Sequence, residues 1–257
     1  MTQNQRRESL IQALLDEQPA YSNIPIPAED SDQRRLLRSL MNVRMAAPIS
    51  RDFQLLQDEY LQEVNRQRGI VELSELDVLQ PDLYLWQGDI TRLHCGAIVN
   101  AANSGMTGCY QPCHSCIDNC IHTYAGIQLR NYCADIMTKQ GYEEPTGQAK
   151  ITPAFNLPCD YVIHTVGPIV DGRLTDRHRR QLKSCYLSCL TLAEENRIDS
   201  IAFCCISAGV FMFPNRQAAE IAVKTVKDFK RDTGSQIKVI FNVFKDLDLE
   251  LYRELLS

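Results

Sequence analysis

The chain has 257 residues, 44% of them hydrophobic and 23% charged, with a formal net charge of −5. That is enough apolar chain for one large domain with an attached extension, and the acidic balance argues against bulk nucleic acid as the main partner, because phosphate binding draws on clustered Lys and Arg. No apolar run approaches the roughly 18 residues needed to span a bilayer, and the N-terminus, MTQNQRRESLIQALLDEQ, lacks the apolar core and cleavage pattern of a secretory signal, so no membrane association and a cytoplasmic location are expected.

Residues 1–75 read as a helical extension. Segments around 6–16, 31–44 and 52–67 carry helical spacing, as in Leu36, Leu37, Leu40 and Met41. A proline-containing stretch, PAYSNIPIPAED, separates the first two, with Pro25 and Pro27 favouring extended backbone and Asp30-Ser31 offering an N-cap for the restart. From residue 76 onwards strands and helices alternate. LYLWQGDI (83–90) and GAIVNAAN (96–103) read as strands ending in turn residues. A long amphipathic helix is predicted over roughly 118–139, from Ile121, Ala125, Leu129, Cys133 and Ile136. YVIHTVGP (161–168) is a buried strand stopped by Gly167-Pro168, and 178–195 is a helix whose basic start, Arg177 to Arg180, reads as solvated. SIAFCCIS (200–207) is a near-continuous apolar strand of the kind covered on both faces; a helix at 215–232, a strand KVIFNVF (238–244) and a short C-terminal helix complete the chain. This order implies a three-layer α/β/α sandwich around a mixed or largely parallel sheet, with ligands bound beyond the C-terminal ends of the strands. Those ends carry GDI, NAANS and ISAGVF.

Each of these turns has two readings. Asp89 in GDI caps a turn or accepts a hydrogen bond from a ligand amine. Asn100 and Asn103 in NAANS form turns or present paired donors and acceptors to sugar hydroxyls. In ISAGVFMFP, Gly209 with Ser207 and Ala208 lets backbone amides approach an anion ahead of a helix N-terminus, while Val210 and Phe211 fill core or wall a sugar or base. The densest chemistry lies in GCYQPCHSCIDNCIH (108–122), with four of the chain's eleven cysteines, two histidines and an aspartate. In a large chain without a signal segment these read as free thiols or metal ligands rather than disulfides. Cys113-x2-Cys116 is also a dithiol spacing, so a thiol redox sensor stays open. Cys185, Cys189, Cys204 and Cys205 sit in apolar patterns and read as small buried hydrophobes.

Taken together and in order, GDIT, IVNAANS, IHTVGP and ISAGVF resemble the macrodomain family over about residues 80–250. The resemblance implies an ADP-ribose pocket. Asp89 would bind the adenine amino group, with the Ile90 backbone beside it. Asn100 and Asn103 would address the distal ribose, with Asn103 expected to take part in catalysis. Ser207, Ala208, Gly209, Val210 and Phe211 would cradle the diphosphate. Where many hydrolytic macrodomains carry a glycine-rich loop ending in an aspartate, this chain has TGCYQPCHSCIDNCIH, which is similar to the zinc-containing branch. That branch removes ADP-ribose from proteins and is often encoded beside a sirtuin that modifies a lipoyl-carrier protein. The resemblance implies Zn2+ as cofactor, Cys109, His114 and Cys116 as its ligands, and a mono-ADP-ribosylated protein as substrate. Two thiolates and one imidazole leave a fourth tetrahedral position open, as in catalytic zinc sites. Asp118 stands where the glycine-loop enzymes place their aspartate, and it is also placed to cap the helix. His122 reads as a core histidine and Cys113 as a spare thiol. The competing function is a reader that binds ADP-ribose without cleaving it, with zinc only ordering the loop. A monomer is the default expectation.

Overall fold

The structure is a computed structural model that describes residues 1–21 and 23–257; Ser22, within the proline-containing connection, lies outside them. The three extension helices are α1 (Gln3–Asp16), α2 (Asp30–Val43) and α3 (Arg51–Gln67). Helix α1 begins in a Thr2–Gln5 capping box and α3 on the Ser50 side chain, which accepts from the Phe53 amide. The restart of α2 falls on Glu29 without a side-chain cap, one residue ahead of the expected Asp30-Ser31. Leu10, Ile11, Leu14, Leu15, Leu37, Leu40, Met41, Tyr60 and Leu61 form a buried cluster of their own, joined by Ile127 from the main body. At about 1.5–3 kcal/mol for each large apolar side chain buried, this cluster is enough to hold three amphipathic helices together.

The main body is built on nine strands: β1 (Val71–Glu72), β2 (Asp77–Gln80), β3 (Leu83–Gln87), β4 (Leu93–His94), β5 (Ala97–Ala102), β6 (Ala149–Pro153), β7 (Tyr161–Val166), β8 (Ser200–Phe203) and β9 (Lys238–Val243). Seven of them form one mixed sheet in the order β2-β3-β9-β8-β5-β7-β6, with the two edge strands antiparallel and the five inner ones parallel. The inner strands read as apolar runs because both faces are covered: β5, β7, β8 and β9 are buried along nearly their whole length. Helices α6 (Asp176–Glu195), α7 (Asn215–Thr233) and α8 (Asp246–Leu256) pack against one another on one side, and α4 (Ile117–Ala125) and α5 (Ile127–Gln140) form a separate pair carrying the extension. The three-layer mixed α/β sandwich expected from the sequence is present. Among the described residues no helix is long and apolar enough to cross a membrane.

The single helix expected over 118–139 is two helices. Gly126, with φ +99°, ends α4 and begins α5, a conformation that favours glycine because a Cβ there is strained. A Cβ would also come within 2.7 Å of Gln57 Nε2 from α3. That joint is where α3 is knitted on: fully buried Gln57 accepts from the Ile127 amide (3.0 Å), and Asn65 donates to the Asn156 carbonyl (2.7 Å). The apolar periodicity runs unbroken through Gly126, so the break has no signature in it.

Candidate active site

Because β3, β9, β8, β5 and β7 are parallel neighbours, their C-terminal ends line one edge of the sheet. Along that edge, in spatial order, come Asp89 after β3, Phe244 after β9, the Ser207–Phe211 loop after β8, Asn103 after β5 and Gly167 after β7. Adjacent strands lie about 4.8 Å apart, so the three steps from β3 to β5 span roughly 14 Å. The crevice is therefore long and narrow, with different chemistry at each end.

At the first end Asp89 caps a short 3-10 turn, Ile90–Arg92, accepting from the Thr91 amide (3.0 Å) and hydroxyl (2.6 Å). Its other oxygen receives Arg68 Nη2 from the end of α3, and the Arg68 guanidinium lies 3.5 Å above the Tyr124 ring. Ile90 is buried. Gly88 donates its amide to the Val243 carbonyl, and the next residue along, Phe244, accepts from Gln87 Nε2 through its carbonyl (3.3 Å) and has 76% of its surface exposed. Sequence reasoning missed Phe244, since an aromatic closing an apolar strand reads as part of the strand. Only its exposure marks it as a platform for a planar ligand group.

The loop after β8 leaves the strand early, at Phe203 rather than Ser207. Ser207 takes a left-handed conformation (φ 63°), and its hydroxyl is buried without a partner against Gly167, where an added Cβ would sit 2.2 Å from it. The loop is pinned by the Phe213 amide to the Ser207 carbonyl and by Val170 to Phe211. Among the described residues the amides of Gly209, Val210 and Phe211 have no acceptor within the protein. Three successive free donors ahead of the α7 N-terminus suit a bound anion.

At the far end Asp118 is buried and held by two amides: Asn100 Nδ2 donates to one carboxylate oxygen at 2.8 Å and Asn103 Nδ2 to the other at 3.2 Å. Burial pushes its pKa up to about 6, against the pull of the Asn100 bond, the Arg130 charge and the Asn103 bond. The carboxylate thus sits where it can accept or release a proton near neutrality. The helix cap that the sequence assigned to Asp118 belongs to Cys116, whose sulfur accepts from the Asn119 amide; Asp118 lies two residues further in, its carboxylate held by Asn100 of β5. Asn100 is fully buried and spends its amide on Asp118 and on His164 Nδ1 (3.1 Å), so it reaches the crevice only through Asp118. Asn103 is exposed.

Beside this carboxylate, Cys109, His114 and Cys116 place their ligand atoms within 4.8 Å of one another, with Cys109 Sγ 3.7 Å from His114 Nδ1. Burial, with the neighbouring Cys109 and Asp118 adding to it, pushes the Cys116 thiol up to about 12. Two thiols and an imidazole converging at a helix N-terminus form a donor set suited to a thiophilic dication, whose charge would offset that penalty. The other candidates in the stretch turn away. Cys113 lies 3.2 Å from Ser39 Oγ, Cys120 faces Arg38, and His122 is in the core.

A second group, His122, Cys133 and His164, also brings its ligand atoms within 4.8 Å, wholly buried. His164 is already satisfied: Nδ1 accepts from Asn100 and Nε2 lies 3.0 Å from Thr152 Oγ1, so through Asn100 it is the inner support of Asp118, while both ring nitrogens of His122 are buried without a hydrogen-bond partner. Burial lowers the His164 pKa to about 3, below the ordinary 6.5, so the fold binds neutral imidazole and its contribution is complete above pH 6.5. It is lost as the pH falls from 6.5 toward 3, at about 1.4 kcal/mol per unit. Between pH 7.0 and 5.5 urea denaturation should show His164 costing the wild type about 1.2 kcal/mol that a His164→Gln chain does not lose. Equal pH slopes for the two chains would contradict the assignment.

The chain is similar to known proteins in sequence and in fold. A family model described as Macro domain matches residues 99–222. A protein-ADP-ribose hydrolase from Treponema medium is 59% identical over 261 residues, covering 100% of both chains. One from Staphylococcus aureus strain MSSA476 is 47% identical over 251 residues, covering 97% of this chain and 94% of its own. Among solved structures, the Trypanosoma brucei macrodomain in complex with ADP-ribose is similar with a TM-score of 0.67 at 27% identity, covering 86% of this chain and 95% of that one.

Proposed function

Since the chain belongs to the macrodomain family, we propose that it is a zinc-dependent hydrolase that removes mono-ADP-ribose from modified protein side chains. The observation that carries the hydrolytic reading is Asp118: a buried carboxylate, oriented by two asparagine amides and raised in pKa, directly beside a Cys-His-Cys donor set. A reader needs the adenine and phosphate contacts, but it has no use for a buried proton acceptor at the ribose end.

In this reading the adenine stacks on Phe244 with its amino group toward Asp89, and the diphosphate lies on the free amides of Gly209, Val210 and Phe211. These contacts fix the distal ribose over Asn103 and Asp118, so that binding energy from the far end of the ligand is used to orient the reacting carbon. Asn103 hydrogen-bonds the ribose, and Asp118 accepts the proton of the attacking water or of a ribose hydroxyl. Cys109, His114 and Cys116 would hold the zinc, which supplies Lewis acidity when bound. Residues 1–75 serve as an extension to a macrodomain spanning 76–257. The acceptor is a mono-ADP-ribosylated protein, for which a sirtuin-modified lipoyl carrier is the candidate suggested by the sequence resemblance, and the enzyme works as a cytoplasmic monomer.

The test is release of free ADP-ribose from a mono-ADP-ribosylated protein, with and without a zinc chelator. Hydrolysis that the chelator stops and added zinc restores is the expected result. Tight ADP-ribose binding without release from modified protein would establish the reader instead, and release indifferent to the chelator would remove the metal.

A further inference from the structure

We propose that helix α2 of the N-terminal extension is the scaffold that holds the loop between β5 and α4 in its ligating shape, with Arg38 as the positioning residue. The loop has little to hold it from within. The His114 amide donates to the Gln111 carbonyl at 3.2 Å and the Cys116 carbonyl accepts from Cys120 as α4 begins (3.1 Å), while Cys113 is kept in a left-handed conformation (φ 52°), uncommon and costly for a residue with a side chain. Some outside element must fix that shape.

Helix α2 supplies it. Arg38 Nη2 donates to the His114 carbonyl and to Asn119 Oδ1, both at 2.8 Å, and lies 3.6 Å from Cys120 Sγ. Asn119, so oriented, donates its own amide to the carbonyls of Gln111 (2.9 Å) and Cys109 (3.4 Å). One guanidinium therefore couples the backbones of two donor residues, His114 directly and Cys109 through Asn119. One turn along α2, Asn42 Oδ1 accepts from the strained Cys113 amide at 2.9 Å while its Nδ2 donates to Thr123 of α4 at 3.0 Å. The C-terminal end of α2 is tied to the same loop by buried Arg130, which donates to the carbonyls of Met41 (3.0 Å), Asn42 (2.8 Å) and Thr107 (2.8 Å). Partners hydrogen-bonded to ligand side chains tune metal affinity about 10- to 100-fold, and Arg38 and Asn119 act one bond further back, on the main-chain carbonyls of His114 and Cys109. The extension thus acts on the metal site without contributing a ligand.

This inference rests on the reading of Cys109, His114 and Cys116 as metal ligands. It is tested by zinc affinity, measured in competition with a chromophoric chelator, alongside the melting temperature of the metal-free chain and the absorption spectrum of the Co2+-loaded one. Arg38→Ala is expected to weaken zinc binding about 10- to 100-fold and to broaden the cobalt spectrum. Arg38→Lys, which restores donors on a single shorter arm, should recover part of the affinity. Asn42→Ser keeps the apolar contacts of Leu37, Leu40 and Met41, frees the Cys113 amide and gives up the bond to Thr123, and should lose about tenfold in zinc affinity; it carries the test if Arg38→Ala does not fold. Wild-type zinc affinity in these variants overturns the scaffold role alone. A wild-type chain that takes up no zinc overturns the ligand reading and the scaffold with it.

Discussion

Asp118→Asn is expected to lower the rate of ADP-ribose release about 10²- to 10⁴-fold, the range for a lost general base, while free ADP-ribose still binds within about threefold of wild type. The substitution keeps shape and removes the charge and the proton acceptor. Asn100 is committed on both sides, to residue 118 and to His164 Nδ1, so the new amide must turn its oxygen toward Asn100 and its NH2 toward Asn103. Asn103, being exposed, swings away, and the lost hydrogen bond costs about 1 kcal/mol of stability. Single-turnover release and isothermal titration with ADP-ribose separate the two effects. A variant that binds as the wild type does and cleaves within tenfold of it would show that the carboxylate only shapes the pocket.

Cys116→Ser carries the second large effect. Serine is a preferred N-cap, so the start of α4 is kept while the thiol is lost, which separates the observed cap from the proposed ligand role of Cys116. The variant should lose zinc and at least about 100-fold in hydrolysis, since removing a ligand outweighs the 10- to 100-fold effect of its supports. Zinc should raise the unfolding free energy of the wild type by about 4 kcal/mol at a thousandfold excess over Kd and leave the variant unmoved. A folded, zinc-free Cys116→Ser chain that cleaves at the wild-type rate would sink the metal mechanism.

Much of this site is local, and to that extent the sequence is readable. GDI, NAANS and SAGVF each follow an apolar run that can only be a buried strand, and in a parallel sheet such ends meet along one edge. Asp118 and the Cys-His-Cys spacing are confined to one loop and the first turn after it. What escapes is long-range or depends on exposure. Arg38, Asn42 and Arg68 reach across some 20 to 80 residues to their partners and carry no local pattern. Strand β6, Ala149–Pro153, is a short antiparallel edge whose alternation is too brief to stand out. The cap on α4 fell to Cys116 rather than Asp118 because the carboxylate finds better donors, two asparagine amides, on the strand beneath it.

The strand order also sets when the site can exist during synthesis. Asp89 and Asp118 lie close in the chain, yet β9 and β8 stand between β3, which ends ahead of Asp89, and β5, whose Asn100 holds Asp118. Neither end of the crevice can be registered against the other until Val243 has been made and β9 has inserted next to β3. A nascent chain can thus carry every candidate acid, amide and thiol of the ribose end while the distance to the Asp89 end is still unset. Completing the crevice is thus a non-local step of folding, of the kind that is slow because distant strands must pair.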